Sequence, residues 1–216
     1  MRCARIFEAA GDEKAAEEVR TAAIGALGNP GLIMSLLRRL PAAGRMDDTK
    51  KIIAHIETRL SGNLDLLSFA VLTLESNGDD TSAARTCHAA IRSHPNEAAL
   101  LARMATLQQR LGHGKRALAF LERAYALDST NTGYLRRLIE AHLAARDLGL
   151  AEQRARAYIA LAPRDPYGYL QLASTCRRMG RKTEALENAQ RAAELDPASE
   201  RYKNYVRELT DIVAKR

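Results

Sequence analysis

The chain has 216 residues, with 39 Ala and 29 Leu against 4 Val and 10 Ile, a balance that favours helix and excludes an all-β fold. Six Pro and 13 Gly are too few for a collagenous or Pro/Gly-rich disordered tract, and no uncharged apolar run approaches the roughly 18 residues of a membrane-spanning helix. The net charge of +7 is uneven. Residues 1–108 hold 13 basic and 13 acidic side chains, residues 109–216 hold 20 and 13, and 26 of the 33 basic residues are Arg.

The segment Met1 to Glu8 lacks the apolar stretch of a secretory signal. Three cysteines, Cys3, Cys87 and Cys176, do not make the dense even set of a disulfide-stapled domain. A reducing, cytoplasmic setting is expected, with the periplasm as the alternative for a fragment of an exported protein. Residues 1–29 read as a partial helical unit, with Gly11 at its internal turn and a second helix from Ala15 to Ala26.

From residue 30 the chain repeats with a period of 34. Gly44, Gly78, Gly112 and Gly180 stand on one lattice; Ala83, Ala117, Ala151 and Ala185 stand on a second. Ala90, Ala124 and Ala192 form a third, with Tyr158 in its gap, and Pro95, Pro163 and Pro197 a fourth. Apolar residues inside each period are spaced i, i+3, i+4, i+7, one face of a helix. Unit 30–63 carries Ile33, Leu36, Leu37 and Leu40, then Thr49, Ile53 and Ile56, and Pro41 is expected to end or kink its first helix. Units 64–97, 98–131, 132–165 and 166–199 follow in phase. In the last, Asp165 is the expected N-cap, Pro166 opens the first helix, and Gly180 separates it from the second. Residues 200–216 read as a terminal capping helix.

No catalytic or metal-binding constellation accompanies this pattern. The five histidines, at positions 55, 88, 94, 113 and 142, include no i, i+4 pair. His142, Cys87 and Cys176 occupy core columns, so a buried hydrogen-bonded His and two buried thiols are expected. The stretch Gly112-His113-Gly114-Lys115 lacks both the spacing and the Ser/Thr of a phosphate loop, and reads as an interhelical turn. The chain is read as non-catalytic, with no cofactor and no metal.

The columns resemble the tetratricopeptide repeat (TPR) family: Tyr169, Leu172-Ala173, Cys176, Ala185, Ala189, Ala192 and Pro197 match its pattern in the last unit, and the four units before it follow in register. The resemblance implies an all-α, right-handed superhelix of antiparallel helix pairs, one solenoid of about five repeats. It also implies a concave groove lined by the first helix of each pair. The family's ligand-contacting positions are the second, fifth, sixth, ninth, twelfth and thirteenth. Here they include Arg38 in unit 30–63, Phe69 and Leu72 in unit 64–97, and Arg103, Thr106 and Arg110 in unit 98–131. They continue with Arg136, Arg137 and Glu140 in unit 132–165, and Tyr167, Leu170, Ser174, Arg177 and Arg178 in unit 166–199.

The six arginines of the last three units, facing one acid, Glu140, beside an apolar stretch at Phe69 and Leu72, point to an extended acidic peptide with apolar anchors. The Asn pair by which part of the family grips chaperone tails is missing. Self-association through the solenoid ends is a further expectation. Two alternatives remain: a module of a larger bacterial polysaccharide-synthesis, secretion or glycosyltransferase protein, and a binder of an anionic polymer. Aromatic content of 5% with no Trp disfavours nucleic acid, which needs stacking platforms.

Overall fold

Helices of 13 and 14 residues alternate from Pro30 to Leu195 and a 15-residue helix follows, within residues 29–214, the part of the chain that the computed structural model describes. In order they are α1 (Pro30–Ala42), α2 (Met46–Arg59), α3 (Leu64–Ser76), α4 (Asp80–Ser93), α5 (Ala98–Arg110) and α6 (Gly114–Leu127). Then come α7 (Thr132–Ala144), α8 (Leu148–Leu161), α9 (Pro166–Arg178), α10 (Lys182–Leu195) and α11 (Glu200–Ala214). No strand occurs among the described residues. The expected partial unit at 1–29, with Gly11 and the helix from Ala15 to Ala26, lies outside them except for Asn29, and Cys3 also lies outside.

Every first helix of a pair starts on the 34-residue lattice, and a cap explains most starts. Asn29, Asn63, Asn131 and Asp165 each accept a backbone N–H of the first turn, at 2.9, 3.0, 3.0 and 2.9 Å. Asp79 and Asp147 do the same for α4 and α8. Lys50 also pairs with Asp79 at 2.7 Å; with the Lys50 and Ser82 hydrogen bonds it holds the Asp79 carboxyl down at about 2.

The first helices end on left-handed residues. Gly44, Gly78, Gly112 and Gly180 have φ of +75, +76, +80 and +79°, and the next residue bonds back five positions, as Asp79 N–H does to Leu74 C=O at 3.0 Å. The lattice point between Gly112 and Gly180 is Arg146, which adopts φ of +60° without being glycine and keeps the same closure, Asp147 N–H to His142 C=O at 2.9 Å. Pro41 neither shortens nor breaks α1, contrary to expectation. It stands next to the last residue of a helix as long as its counterparts, where Ala43, Gly44 and Arg45 close the turn around it.

The chain divides into two compact units, one ending at His113 and one beginning at Gly114. In the first, α1 packs on α2 and α3, and α4 on α3 and α5. Its core is Ile33, Leu37, Ile52, Ile53, Ile56, Leu66, Leu67, Leu74, Leu101 and Leu107, with Ala70, Ala83 and Ala90 fully buried where helices cross. Each buried Leu or Ile contributes about 1.5–3 kcal/mol by leaving water. Cys87 lies in this core and burial pushes its thiol up to about 12.

In the second unit the core runs through Leu135, Ile139, Ala151, Ala155, Tyr158, Ala173, Cys176, Ala185, Ala189 and Leu209. Here a size exchange replaces the usual column. Tyr158 stands where Ala90, Ala124 and Ala192 stand elsewhere, and Gly168 stands where Leu66 and Leu100 stand. A Cβ on Gly168 would lie 2.9 Å from the Tyr158 ring and 2.8 Å from Ile159 Cγ1. The Tyr158 hydroxyl donates to Asp165, the cap of α9, and burial with that bond raises its phenol to about 12. Burial raises the Cys176 thiol to about 11.

Three outcomes are expected in chemical denaturation followed by circular dichroism. Arg146→Gly stabilises by about 1 kcal/mol, because only glycine adopts that φ without strain. Gly180→Ala, which meets no neighbouring atom, loses about 1 kcal/mol for the same reason. Gly168→Ala loses about 1–3 kcal/mol through overpacking against Tyr158. The Asp79 carboxyl stabilises fully above its ordinary value of 3.8 and loses that contribution as pH falls towards 2.

Candidate functional site

The first helices of the repeats, α1, α3, α5, α7 and α9, carry the residues singled out from sequence. Their apolar stripe faces the core and the second and ninth positions fall on the remaining surface, whereas Ala102 and Leu170 at the fifth position and Leu143 at the twelfth are buried, contrary to the expectation for Leu170. In the first unit Arg38 lies over the Phe69 ring at 5.3 Å. A cleft of about 370 Å³ opens there between α1 and α3, lined by Leu37, Arg38, Pro41, Phe69, Leu72 and Thr73 with Ser76 and Asn77. Leu72 is 44% exposed, high for a leucine in an ordered helix.

Arg103 and Arg110, on α5, are drawn to α3 and the start of α4 rather than left open. Glu75 bonds Arg103 at 2.5 Å and Arg110 at 3.5 Å, and Arg110 also bonds Asp80. Thr106 turns its hydroxyl back to the Ala102 carbonyl at 3.2 Å, a bond within its own helix. Glu75 and Asp80 correct the expectation of an arginine face opposed by Glu140 alone.

In the second unit Arg136 lies over the Tyr167 ring at 4.1 Å. The Tyr167 hydroxyl donates to Glu140 at 3.1 Å, and its ring meets that of Tyr158 at 5.2 Å. Burial, with Glu140 beside it, pushes the Tyr167 phenol far above its ordinary value. Arg137 is half-buried, and desolvation lowers its guanidinium from the usual value against the opposing pull of Tyr134 and Glu140. Arg178 points away from this surface and donates to the Leu143 carbonyl at 3.0 Å, at the end of α7.

Leu170, Ser174 and Arg177 come together at a second cleft, of about 420 Å³, between α9 and α11. Gln171 completes the α9 wall, and the α11 wall is Arg201, Asn204, Tyr205 and Glu208. Arg177 bonds Glu208 at 2.5 Å and lies over the Tyr205 ring at 5.4 Å. The Tyr205 hydroxyl is buried beside Ser174. The four α11 residues were absent from the sequence-derived set, yet the signal was present. Glu200 begins α11 34 residues after Pro166 begins α9, so Arg201, Asn204, Tyr205 and Glu208 are the second, fifth, sixth and ninth positions of a further first helix.

His142 is buried as expected, with Nε2 3.0 Å from Glu122, which Arg154 also bonds at 2.7 Å. No group of three or more metal-ligating side chains is gathered among the described residues, and no helix among them is long and apolar enough to cross a membrane.

No family model matches the sequence, and no curated protein does so either. Solved structures are similar. The C-terminal part of a TPR repeat-containing protein from Cytophaga hutchinsonii shares 15% identity at a TM-score of 0.68, covering 99% of this chain and 86% of that one. YrrB, described as a TPR protein with an unusual peptide-binding site, shares 17% at 0.61, covering 94% and 97%. The first TPR of Spaghetti (RPAP3), solved bound to the HSP90 peptide SRMEEVD, shares 18% at 0.51, covering 55% and 94%. The fold of this chain is that of the tetratricopeptide-repeat proteins.

Removing the Tyr158 hydroxyl separates its bond from its volume. Tyr158→Phe is expected to lose about 1 kcal/mol in urea denaturation, the net worth of one hydrogen bond, while the ring still fills the space left by Gly168.

Proposed function

We propose that the protein is a non-catalytic interaction scaffold that binds an extended, acidic segment of another protein on the first-helix faces of its repeats. The observation that carries this reading is the pair of open clefts between successive first helices, α1 with α3 and α9 with α11. Both are lined by the positions at which proteins of this fold meet their ligands. The first offers an apolar floor at Phe69, Leu72 and Pro41 for a hydrophobic anchor. The second offers Arg177, Arg201, Gln171 and Ser174 for carboxylate and main-chain groups. The peptide-binding site described for YrrB and the peptide complex of the Spaghetti repeat are of other proteins, and they support segment binding as the use of such a surface.

Selection of a displayed library of random disordered segments on the full chain tests this. Recovered segments are expected to be enriched in Asp or Glu and in Leu, Ile or Phe, with no fixed spacing required between them. Leu72→Glu and Arg177→Glu, each on an exposed or half-exposed side chain that leaves the core intact, are expected to weaken those segments at least tenfold, or about 1.4 kcal/mol, with unchanged helicity. Recovery of segments without acidic residues, or binding by both variants as tight as by the unaltered chain, overturns the reading.

A further inference from the structure

We infer that Glu208 of α11 occupies, within the chain itself, the place of a partner carboxylate on Arg177, and that the α9–α11 cleft takes an Asp or Glu side chain once Glu208 yields. This rests on the segment-binding reading and adds to it a defined seat and an internal competitor.

The arginines paired with carboxylates differ in how firmly those carboxylates are held. Glu75 is 11% exposed and shared by Arg103 and Arg110, so it is wedged between two cations. Arg110 is further engaged through both oxygens of Asp80. The Arg177–Glu208 pair is a single contact between side chains 38% and 53% exposed, the kind of solvated ion pair that contributes little net stability. Breaking it exposes nothing new, because Glu208 already stands half in water.

What surrounds the pair is suited to a second carboxylate. Arg177 and Arg201 place a cation on each wall of the cleft. Gln171 and Ser174 supply neutral hydrogen-bonding groups beside the Tyr205 ring. A carboxylate bridging Arg177 and the donors around it makes more charge-assisted bonds than Glu208 does with one. Glu208 is tethered and competes at every moment, so it lowers the affinity for any acidic segment that binds there. The arrangement favours segments whose carboxylate is placed better than its own.

Titration of the isotopically labelled full chain with the peptide acetyl-Ala-Glu-Leu-Glu-amide, followed by nuclear magnetic resonance, tests this beside acetyl-Ala-Gln-Leu-Gln-amide. The acidic peptide is expected to shift the Arg177 side-chain N–H and the carboxamides of Gln171 and Asn204. Glu208→Gln is expected to tighten it about threefold or more, by removing the competitor. The Gln peptide, and the Arg177→Gln variant with its helicity checked, are expected to bind at least tenfold more weakly. If Glu208→Gln leaves the dissociation constant unchanged, or the shifts fall away from this cleft, the inference is overturned. If the Gln peptide binds the cleft as tightly as the Glu peptide, the carboxylate seat falls while segment binding stands. If neither peptide moves a residue on any first helix, both readings fall.

Discussion

The close crossing of paired helices constrains everything else in this molecule. Two α-helices approach closely only where a small side chain stands at the crossing, and Ala83, Ala90, Ala151, Ala185 and Ala192 are such points, all fully buried. Because the crossing recurs at a fixed place in each pair, so do the cap before each first helix and the left-handed turn after it. Tyr158 is the exception that shows the rule operating. A bulky ring at the crossing is tolerated only because Gly168 gives up its side chain, and the ring's hydroxyl then finds Asp165.

This register also fixes which side chains face outward on the first helices, and so turns a structural repeat into a row of chemically variable positions. Charge on that row is less free than its composition implies. Glu75 and Asp80 hold Arg103 and Arg110, Arg178 is spent on a backbone carbonyl, and Arg38 and Arg136 lie over aromatic rings. Stacking and ion pairing both order a long side chain in advance, which lowers the entropy lost when a ligand arrives. The surface is therefore a set of preorganised cations with unequal availability rather than a diffuse positive field.

The fold was legible because its determinants are local and repeated. The period of 34, the Gly and Ala columns and the Asp and Pro around helix starts announce helix pairs without any knowledge of distant contacts. The reading of Pro41 failed by treating the residue alone. A proline in the last turn removes only its own N–H, and Gly44 closes this helix as Gly78, Gly112 and Gly180 close theirs. The α11 contribution to the second cleft was missed because the lattice was stopped one helix early, although Glu200 stands on it.

Position on a face follows from periodicity, so the sequence by itself determined the helix pairs, their register, the buried thiols and His142, and the set of outward positions in which the site residues lie. Partnership depends on reach across helices 28 to 35 residues apart in the chain, as for Arg103 with Glu75 and Arg178 with Leu143. Only the tertiary structure decided which arginines are neutralised, which are stacked, and that Glu208 rather than solvent meets Arg177. Helix spacing sets those distances, and no sequence column records it.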